Sequence, residues 1–506
     1  MDSFVWTDGC GIVLEYTDKS RPLPLIHALQ EQCGKRGMFL RRQGTEPSLS
    51  HIDKDGTGVL WVRWGHAPES SERGSRQPSP SHQQIYVVNA YADLFLRLGE
   101  SGVNKVLHRN GIHTSPLQKS GTRRYKIHVF HLRAVAVFQF KPILPGGLIA
   151  DQFVGLDSTD AVLRRLSRLA VRACYSVGLD VGEVHIQAYD DERAVVESVH
   201  GHPQLSALNM ADWYAQAILE DVKKWKAEIN RTTPAMLGMD PEFILYDPAR
   251  EKVVSASKFL PRDGIVGCDA VWIRGERSEL DAHSVTTAIQ PIYPLVELRP
   301  DPRTEPRELM IQLMRAMHIA ARRIPDPTLK WLAGGMPYPG LAIGGHIHFS
   351  GMWLNAEFLR VLDNYLALPL AIIEARSSVK RRPKYGILGD FRVQPHTGFE
   401  YRTLPSWLVS PTITKGVIAL AQLLAMNYRQ LSGRFTLDEQ IQQAFYQGDI
   451  EQLSEAFMEL DENMTRLPTY EDLANYIEPL LHRIRHQTAW DEQVDIRSVW
   501  KIPPFS

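Results

Sequence analysis

Two histidines in the stretch Leu341–Gly351, LAIGGHIHFSG, are the residues whose type and spacing point most directly to chemistry. His346 and His348 stand two residues apart inside a short apolar run. Because side chains alternate between the faces of a β-strand, this spacing places both imidazole rings on one face of a strand. Imidazoles bind metal ions, but an isolated His-x-His pair is more often a pair of hydrogen-bonded side chains. Taken alone, the pair leaves both interpretations open.

Three other stretches repeat this polar–x–polar spacing: Asp240-Pro241-Glu242, Glu297-Leu298-Arg299 and Glu400-Tyr401-Arg402. Each lies in an apolar or aromatic run bounded by Gly or Pro, which is typical of a strand end rather than a helix. Each also has an ordinary structural explanation. A Glu-x-Arg pair is usually a solvated strand face or a cross-strand ion pair, and Asp-Pro-Glu is usually a turn that enters a strand.

The combination of the four stretches is more informative than any one of them. Four such strands would present three glutamates, an aspartate, two histidines and two arginines on one surface. Burying several carboxylates together is unfavourable unless cations compensate their charge. Oxygen ligands with one imidazole suit Mg²⁺ or Mn²⁺, and nearby arginines suit phosphate or carboxylate groups. The sequence therefore predicts a site for metal ions and a polyanion.

These residues carry a family resemblance. The segments GMDPEF, VELRPDP, GGHIHFSG and YGILGDFRVQPHTGFEYRTLPSWL resemble the carboxylate–amine ligase type 2 family first noted in phages, which belongs to the glutamine synthetase/glutamate–cysteine ligase superfamily. The resemblance implies an antiparallel sheet curved into a partial barrel, with ATP and divalent metals on its concave face. It also implies a reaction in which a carboxylate is phosphorylated and an amine then displaces the phosphate.

Within this resemblance, five side chains are the expected ligands of Mg²⁺ or Mn²⁺. They are Glu242, Glu297, His346, Glu400 and, as the weakest of the five, Asp240. Asp240 has an alternative role, because its carboxylate could order the turn that enters the strand.

Three further residues are expected to contact the reactants. Arg299 and Arg402 are bidentate donors suited to the substrate carboxylate or to the γ-phosphate. His348, on the same strand face as the ligands, is expected either to support a ligand or to contact the carboxylate substrate.

Two basic residues near the last motif are candidates for the phosphates of ATP. Arg392 follows the turn Leu388–Gly389–Asp390, and Lys384 closes the basic run Lys380–Lys384. The alternative for Lys384 is that Arg381, Arg382 and Lys384 form a solvated basic loop without a ligand.

The composition is that of an ordinary soluble globular protein. The chain has 506 residues, enough for two or three domains, with 44% hydrophobic and 23% charged residues. A formal net charge of −1 gives no indication of nucleic-acid binding. The four cysteines lack CxxC spacing, the start MDSFVWTDG lacks a signal-peptide pattern, and no apolar run approaches the ~18 residues of a membrane span. We expect a cytoplasmic protein without a membrane partner, and a homo-oligomer is left open.

The first half faintly resembles a truncated ATP-grasp domain. Lys105 with the following RNGIHTSP resembles the entry of that fold, and Tyr125–Phe140 resembles its central hairpin. The stretch Pro116–Arg124 is too short for the lid that normally covers adenine. His185 stands where an acidic residue is expected, and the position two after Glu197 is a valine instead of an asparagine. We therefore expect a non-catalytic domain for substrate docking or dimerisation.

The fold class predicted for the whole chain is α+β, with a glutamine-synthetase-like antiparallel curved sheet and flanking helices after a smaller α/β domain. The expected segments are 1–205 (truncated ATP-grasp-like, with a flexible loop at 66–84), 206–230 (linker helix), 231–434 (catalytic domain) and 435–506 (helical extension).

Three functions compete at this stage. The first is an ATP- and Mg²⁺-dependent ligase acting on an amino acid, a peptide or a similar small substrate. The second is a zinc hydrolase that uses His346, His348 and a carboxylate, which leaves the arginines without a role. The third is a non-catalytic binding protein with a decayed site, although the ligand-type residues are present in all four motifs.

Overall fold

The structure is a computed structural model. It describes residues 4–7, 12–16, 28, 39–42, 60–64, 84–114, 122–142, 149–156, 159–189, 193–204, 209–274, 289–395 and 398–503. The chain divides into two units, Met1–Asn230 and Arg231–Ser506. The flexible loop predicted at 66–84 lies outside the described residues except for Gln84, which begins a strand.

The first unit contains two five-stranded sheets. The strands of one are β1 (Phe4–Thr7), β2 (Ile12–Tyr16), β3 (Phe39–Arg42), β4 (Leu60–Trp64) and β5 (Gln84–Val88), in the order β3-β1-β2-β4-β5. The strands of the other are β6 (Arg123–Phe130), β7 (Arg133–Pro142), β8 (Ile149–Phe153), β9 (Val181–Ala188) and β10 (Ala194–His200), in the antiparallel order β10-β9-β6-β7-β8. The predicted hairpin at Tyr125–Phe140 is confirmed as β6–β7. Its turn residues His131 and Leu132 both have positive φ, as a two-residue hairpin turn requires.

Three described helices accompany these sheets: α1 (Ala92–Arg109), α2 (Ala161–Ser176) and α3 (Met210–Ile229). Helix α2 begins after Asp160, whose carboxylate accepts hydrogen bonds from the backbone N–H groups of Val162 and Leu163. The buried face of α2, with Leu166 and Ala170 fully covered, packs against the second sheet.

The second unit is built on an antiparallel sheet, which confirms the predicted α+β class. Its strands are β11 (Met236–Asp247), β12 (Lys252–Val254), β13 (Val266–Arg274), β14 (Ile289–Leu298), β15 (Lys330–Leu332), β16 (Gly345–Ser350), β17 (Phe391–Val393) and β18 (Phe399–Tyr401). The order is β13-β14-β11-β16-β18-β17, and both β12 and β15 also pair with β11. The long strand β11 is therefore the centre of the sheet.

Eight described α-helices accompany this sheet, some packing on its strands and others on one another. They are α4 (Pro306–Arg323), α5 (Ala356–Leu362), α6 (Leu368–Ile373), α7 (Pro411–Asn427), α8 (Glu439–Gln447), α9 (Ile450–Thr465), α10 (Tyr470–Arg485) and α11 (Ile496–Trp500). Alternation along β16 sends Phe349 away from the histidines, and its ring packs on Phe399 and Phe358. The face that carries the histidines is thus left for other contacts. Across the described residues, we find no helix with the length and apolarity to cross a bilayer.

Candidate active site

The strand register brings the four polar–x–polar motifs to one face of the second sheet. Asp240 on β11 lies opposite His346 on β16, and Glu242 lies opposite Glu297 on β14. His348, two residues after His346 on β16, lies opposite Glu400 on β18. Directly opposed residues of neighbouring strands share a face, and residues two apart on one strand do so as well. The sheet therefore assembles all four motifs side by side.

Three of these side chains form a first group, which we call the histidine cluster: Asp240, His346 and Glu400. Nδ1 of His346 lies 3.1 Å from Oδ1 of Asp240 and 3.1 Å from Oε1 of Glu400. His346 and Glu400 are buried, and Asp240 is half-buried. Both Nδ1 of His346 and Oδ1 of Asp240 are buried atoms that lack an aligned hydrogen bond. Their ligand atoms lie within 4.8 Å of one another, close enough to share one metal ion.

A second group, the carboxylate cluster, contains Glu242, Asp269 and Glu297, again with ligand atoms within 4.8 Å of one another. Glu242 and Glu297 are buried, and Oε2 of Glu297 has no hydrogen-bond donor aligned to it. Sequence reasoning missed Asp269. It stands two residues after Gly267 on β13, and Gly267 pairs with Glu297. The lone acidic residue in the apolar run VGCDAVWI was a weak signal, because its face depends on the pairing of Gly267 with Glu297 and not on alternation alone.

Burial and mutual charge shift the ionisation of these groups in opposite directions. Burial raises the pKa of Glu242 to about 7, and burial together with the charge of Asp240 raises the pKa of Glu297. Burial opposes the charged form of His346, but the carboxylate of Asp240 raises its pKa to about 9. Burial likewise works against ionised Asp240, yet His346 holds its pKa well below the usual range. Burial therefore favours the neutral, protonated form of both glutamates in the carboxylate cluster, and a bound cation would be needed to favour their charged form.

The glycines before the histidines allow close approaches of the chain, and one of them, Gly344, holds Glu242 in place. The N–H of Gly344 donates to Oε2 of Glu242 at 2.7 Å, and the N–H of Glu242 donates to the carbonyl of Gly344 at 3.0 Å. A Cβ on Gly344 would stand 2.5 Å from Nε2 of His346, and one on Gly345 would stand 2.6 Å from the carbonyl oxygen of Pro405. The two glycines are needed because no side chain fits at either position.

Both predicted arginines lie at the clusters, each paired with a carboxylate. Arg299 forms an ion pair with Glu297, and its Nη1 donates to the carbonyl of Arg262 at 3.1 Å. Nη1 of Arg402 lies 2.6 Å from Oε1 of Glu400. Both guanidinium groups remain partly exposed, so they face the open side of the site.

The other predicted contact residues occupy different positions. Nε2 of His348 lies 3.0 Å from Oδ2 of Asp240, so His348 supports the histidine cluster from its edge. Arg392 is exposed, with Nη1 3.4 Å from Oε2 of Glu400. Lys384 is also exposed and lies over the ring of Tyr385, with no contact to either cluster among the described residues.

The alternative of a solvated basic loop is wrong for the two arginines before Lys384. Arg381 is buried and donates to the backbone carbonyls of Thr403 and Leu404, directly after the Glu400 strand. Arg382 is buried and pairs with Glu374. Buried guanidinium groups need such partners, and Arg381 in addition fixes the chain that follows β18.

The C-terminal region contributes one further residue that sequence reasoning missed. Glu492 is buried, and its carboxylate accepts hydrogen bonds from the N–H groups of Gly335 and Met336 and from the hydroxyls of Ser377 and Ser378. This carboxylate joins the C-terminal segment to the loop that leads into β16. No local sequence pattern marks it, because these four partners are more than 100 residues away.

Comparison with known sequences gives one family match. The sequence model of the phage phiEco32-like COOH.NH2 ligase-type 2 family matches residues 237–502, more than half of the 506-residue chain. The match includes all four motifs, both clusters and the helices after residue 434. No curated protein matches the chain.

Solved structures give weak likenesses only. A bifunctional glutathione synthetase from Pasteurella multocida has a TM-score of 0.34 and 10% identity, covering 56% of this chain and 54% of its own. The ligand-free protein GmaS has a TM-score of 0.28 and 13% identity, covering 77% and 95%. The ATP-grasp ligase PsnB, solved with a minimal precursor, has a TM-score of 0.26 and 8% identity, covering 42% and 99%. The chain spans about half the length of the first of these proteins, and we base no argument on likenesses of this size.

Proposed function

The chain belongs to the phage phiEco32-like COOH.NH2 ligase-type 2 family, as its four motifs predicted, and from this membership we propose an ATP- and Mg²⁺-dependent ligase. The reaction would join a carboxylate to an amine on an amino acid, a peptide or a similar small molecule. The observation that carries this proposal is the pair of adjoining ligand clusters on one sheet face.

The side chains of both clusters suit hard divalent cations. The histidine cluster offers two carboxylates and one imidazole, and the carboxylate cluster offers three carboxylates. Mg²⁺ and Mn²⁺ prefer oxygen ligands with an occasional nitrogen. Oε2 of Glu297 and Nδ1 of His346, both buried and without an aligned hydrogen bond, are the atoms expected at such a site. Bound cations would supply positive charge against the β- and γ-phosphates of ATP.

The proposed reaction has two steps. A carboxylate oxygen of the first substrate bonds to the γ-phosphorus of ATP while the bond to ADP breaks, which gives an acyl phosphate. The amine nitrogen then bonds to the carbonyl carbon, inorganic phosphate leaves, and the surplus proton of the amine passes to water.

The arginines at the rim of the clusters would orient these reactants. Arg299 and Arg402 each present a planar guanidinium that matches a carboxylate or a phosphoryl group. Arg392, exposed at the edge strand, is placed to contact the phosphates of ATP. His348 would hold the orientation of Asp240. Lys384 is the weakest of these candidates because its described contact is with Tyr385.

The zinc-hydrolase alternative fits the clusters of the described residues less well. It requires both histidines as ligands of one ion, whereas only His346 belongs to a group of converging ligand atoms and His348 pairs with Asp240.

Nucleotide turnover tests the proposal. Purified protein is incubated with ATP, Mg²⁺ and pools of amino acids and short peptides, and ADP release is followed together with new products by mass spectrometry. We expect ADP release that depends on Mg²⁺ or Mn²⁺ and on an acceptor pair. Glu242→Gln should abolish it, whereas Glu308→Gln, at an exposed position on α4, should not. Stoichiometric zinc with ATP-independent amidase activity would refute the proposal.

A further inference from the structure

An apolar pocket of about 550 Å³ lies on the second unit, within the size range of small-molecule sites. Its wall includes Val253, Tyr293, Tyr338, Pro339 and Leu341. None of the described residues that line it carries a formal charge. Neither the proposed reaction nor the two clusters uses this pocket.

The pocket lies on the same sheet face as the clusters. Ile244 stands two residues after Glu242 on β11, so the two side chains share a face. It pairs with Leu295, which stands two residues before Glu297 on β14 and shares the face of Glu297. Ile244 and Leu295 belong to a buried apolar group, against which three residues of the pocket wall pack, namely Val253, Tyr338 and Leu341. Val253 pairs with Tyr246, four residues beyond Glu242. At roughly 3.3 Å per residue, the pocket begins about 13 Å from the carboxylate cluster.

Two chain segments connect the pocket with the clusters. The loop that contributes Tyr338 and Leu341 continues to Gly344, whose N–H holds Glu242. On the other side, the guanidinium of Arg262 lies 4.5 Å from the ring centre of Tyr293, a cation–π contact. The carbonyl of Arg262 accepts the hydrogen bond of Arg299. A molecule bound in the pocket would therefore contact the same segments that position the reacting groups.

Two of the polar groups in the wall are already occupied. The hydroxyl of Ser255 donates to the carbonyl of Tyr293 at 2.8 Å, and the N–H of Leu341 donates to the carbonyl of Tyr338 at 3.1 Å. Pro294 and Pro339 have no N–H. A nucleobase presents an edge of donors and acceptors that needs matched partners when it is buried, whereas a hydrocarbon side chain needs none. Most of the described lining is hydrocarbon, from Val253, Ile292, Pro294, Pro339 and Leu341, and this surface favours a hydrocarbon group over a base.

We propose that this pocket selects the substrate of the ligase by binding an uncharged, apolar side chain of the amino acid or peptide that is joined. The inference rests on the proposed function for the reaction and adds the substrate class. A pocket of this kind discriminates by size, about 10- to 200-fold per methylene group gained or lost. Acidic and basic side chains are disfavoured because the wall offers them no counter-charge.

Direct binding tests the inference without relying on turnover. L-leucine, L-phenylalanine, L-glutamate and adenosine are offered separately to the full-length protein, and their dissociation constants are measured by ligand-observed NMR. Leu341→Trp fills the pocket, and Met458→Trp places the same side chain at an exposed position on α9 as a matched control. We expect leucine or phenylalanine to bind the wild type and the control, and to bind Leu341→Trp at least about tenfold more weakly.

Other outcomes would overturn the pocket assignment. One is that leucine and phenylalanine bind Leu341→Trp as tightly as they bind the wild type. A second is that Leu341→Trp loses binding of adenosine alone. A third is that neither leucine nor phenylalanine binds the wild type. If Leu341→Trp does not fold, Tyr338→Ala replaces it. The enlarged pocket should then shift preference from leucine toward phenylalanine, and an unchanged preference refutes the assignment. Absence of ADP release with this binding pattern intact would refute the ligase proposal and leave the pocket standing.

Discussion

Replacing Arg402 by lysine separates a role in the reaction from a role in the fold. Nη1 of Arg402 lies 2.6 Å from Oε1 of Glu400, and the side chain is 24% exposed. Its backbone N–H donates to the carbonyl of Asp390 at 2.9 Å, a bond that any side chain would allow. Lysine keeps the positive charge and the apolar stem, but it lacks the planar fork that holds a carboxylate or a phosphoryl group through two hydrogen bonds.

The expected magnitudes follow from this geometry. Loss of one fixed donor to developing charge lowers turnover by about 10²-fold or more, equivalent to roughly 2.7 kcal/mol in the activation barrier. The stability change should stay below about 1 kcal/mol, because the Arg402 side chain is itself partly exposed and lysine can retain the ion pair with the buried Glu400. A large loss of turnover with a small loss of stability is therefore the signature of a site role.

Two measurements on the same samples distinguish the roles. ADP release per folded molecule gives turnover, and thermal unfolding gives stability. Arg466→Lys is the matched control, because Arg466 pairs with Glu462 on the exposed surface of α9. Near-wild-type turnover in well-folded Arg402→Lys protein would refute the reasoning. A lower melting temperature with unchanged turnover would assign Arg402 to the fold alone.

Three further predictions concern regions outside the clusters. Glu492→Ala should destabilise the second unit by about 2–4 kcal/mol, measured by urea unfolding. The substitution leaves the backbone N–H and serine hydroxyl donors that now bond to this carboxylate without an acceptor. The first unit should lose up to about 3 kcal/mol of stability as pH falls from 6.5 toward 4. Burial lowers the pKa of His128 to about 4, although the Glu183 carboxylate lies 3.8 Å away. The unfolded chain therefore binds a proton at His128 at a higher pH than the folded chain does, and this favours unfolding. Urea unfolding of the first unit at pH 7.5 and 5 checks this, and a flat profile contradicts it. Lys105→Ala or Glu197→Gln should leave ATP turnover within a few-fold of wild type, and a loss as large as that of a metal-ligand variant would identify a nucleotide site in the first unit.

Period-two spacing was sufficient to predict which site residues share a face. The pairs at 240/242, 297/299, 346/348 and 400/402 each point to one side, because alternation along a strand is a local property. Strand order and register are not local. That Glu242 faces Glu297, and His346 faces Asp240, depends on pairing between strands 55 and 106 residues apart. The division of the ligands into two clusters therefore could not be read from the sequence.

The residues that sequence reasoning missed share a physical explanation. Asp269 stands alone in an apolar run, and Glu492 lies in a polar terminal segment, so neither forms a local pattern. Arg381 and Arg382 resembled a solvated run because consecutive basic residues usually are one. Each of these side chains acquires its role from partners that only the folded chain brings close.

The charge balance of the site face explains why these groups are assembled despite their effect on stability. The carboxylate cluster places two buried glutamates next to Asp269, and burial raises the pKa of both glutamates. The guanidinium of Arg299 forms its ion pair with Glu297, and the hydrogen bond described for the Glu242 carboxylate comes from the N–H of Gly344. An apolar pair would stabilise this position of the sheet better than two glutamates do. The arrangement is therefore unfavourable for the isolated sheet and becomes favourable when a cation adds compensating charge, which is the electrostatic condition that binding of metal and triphosphate together would meet.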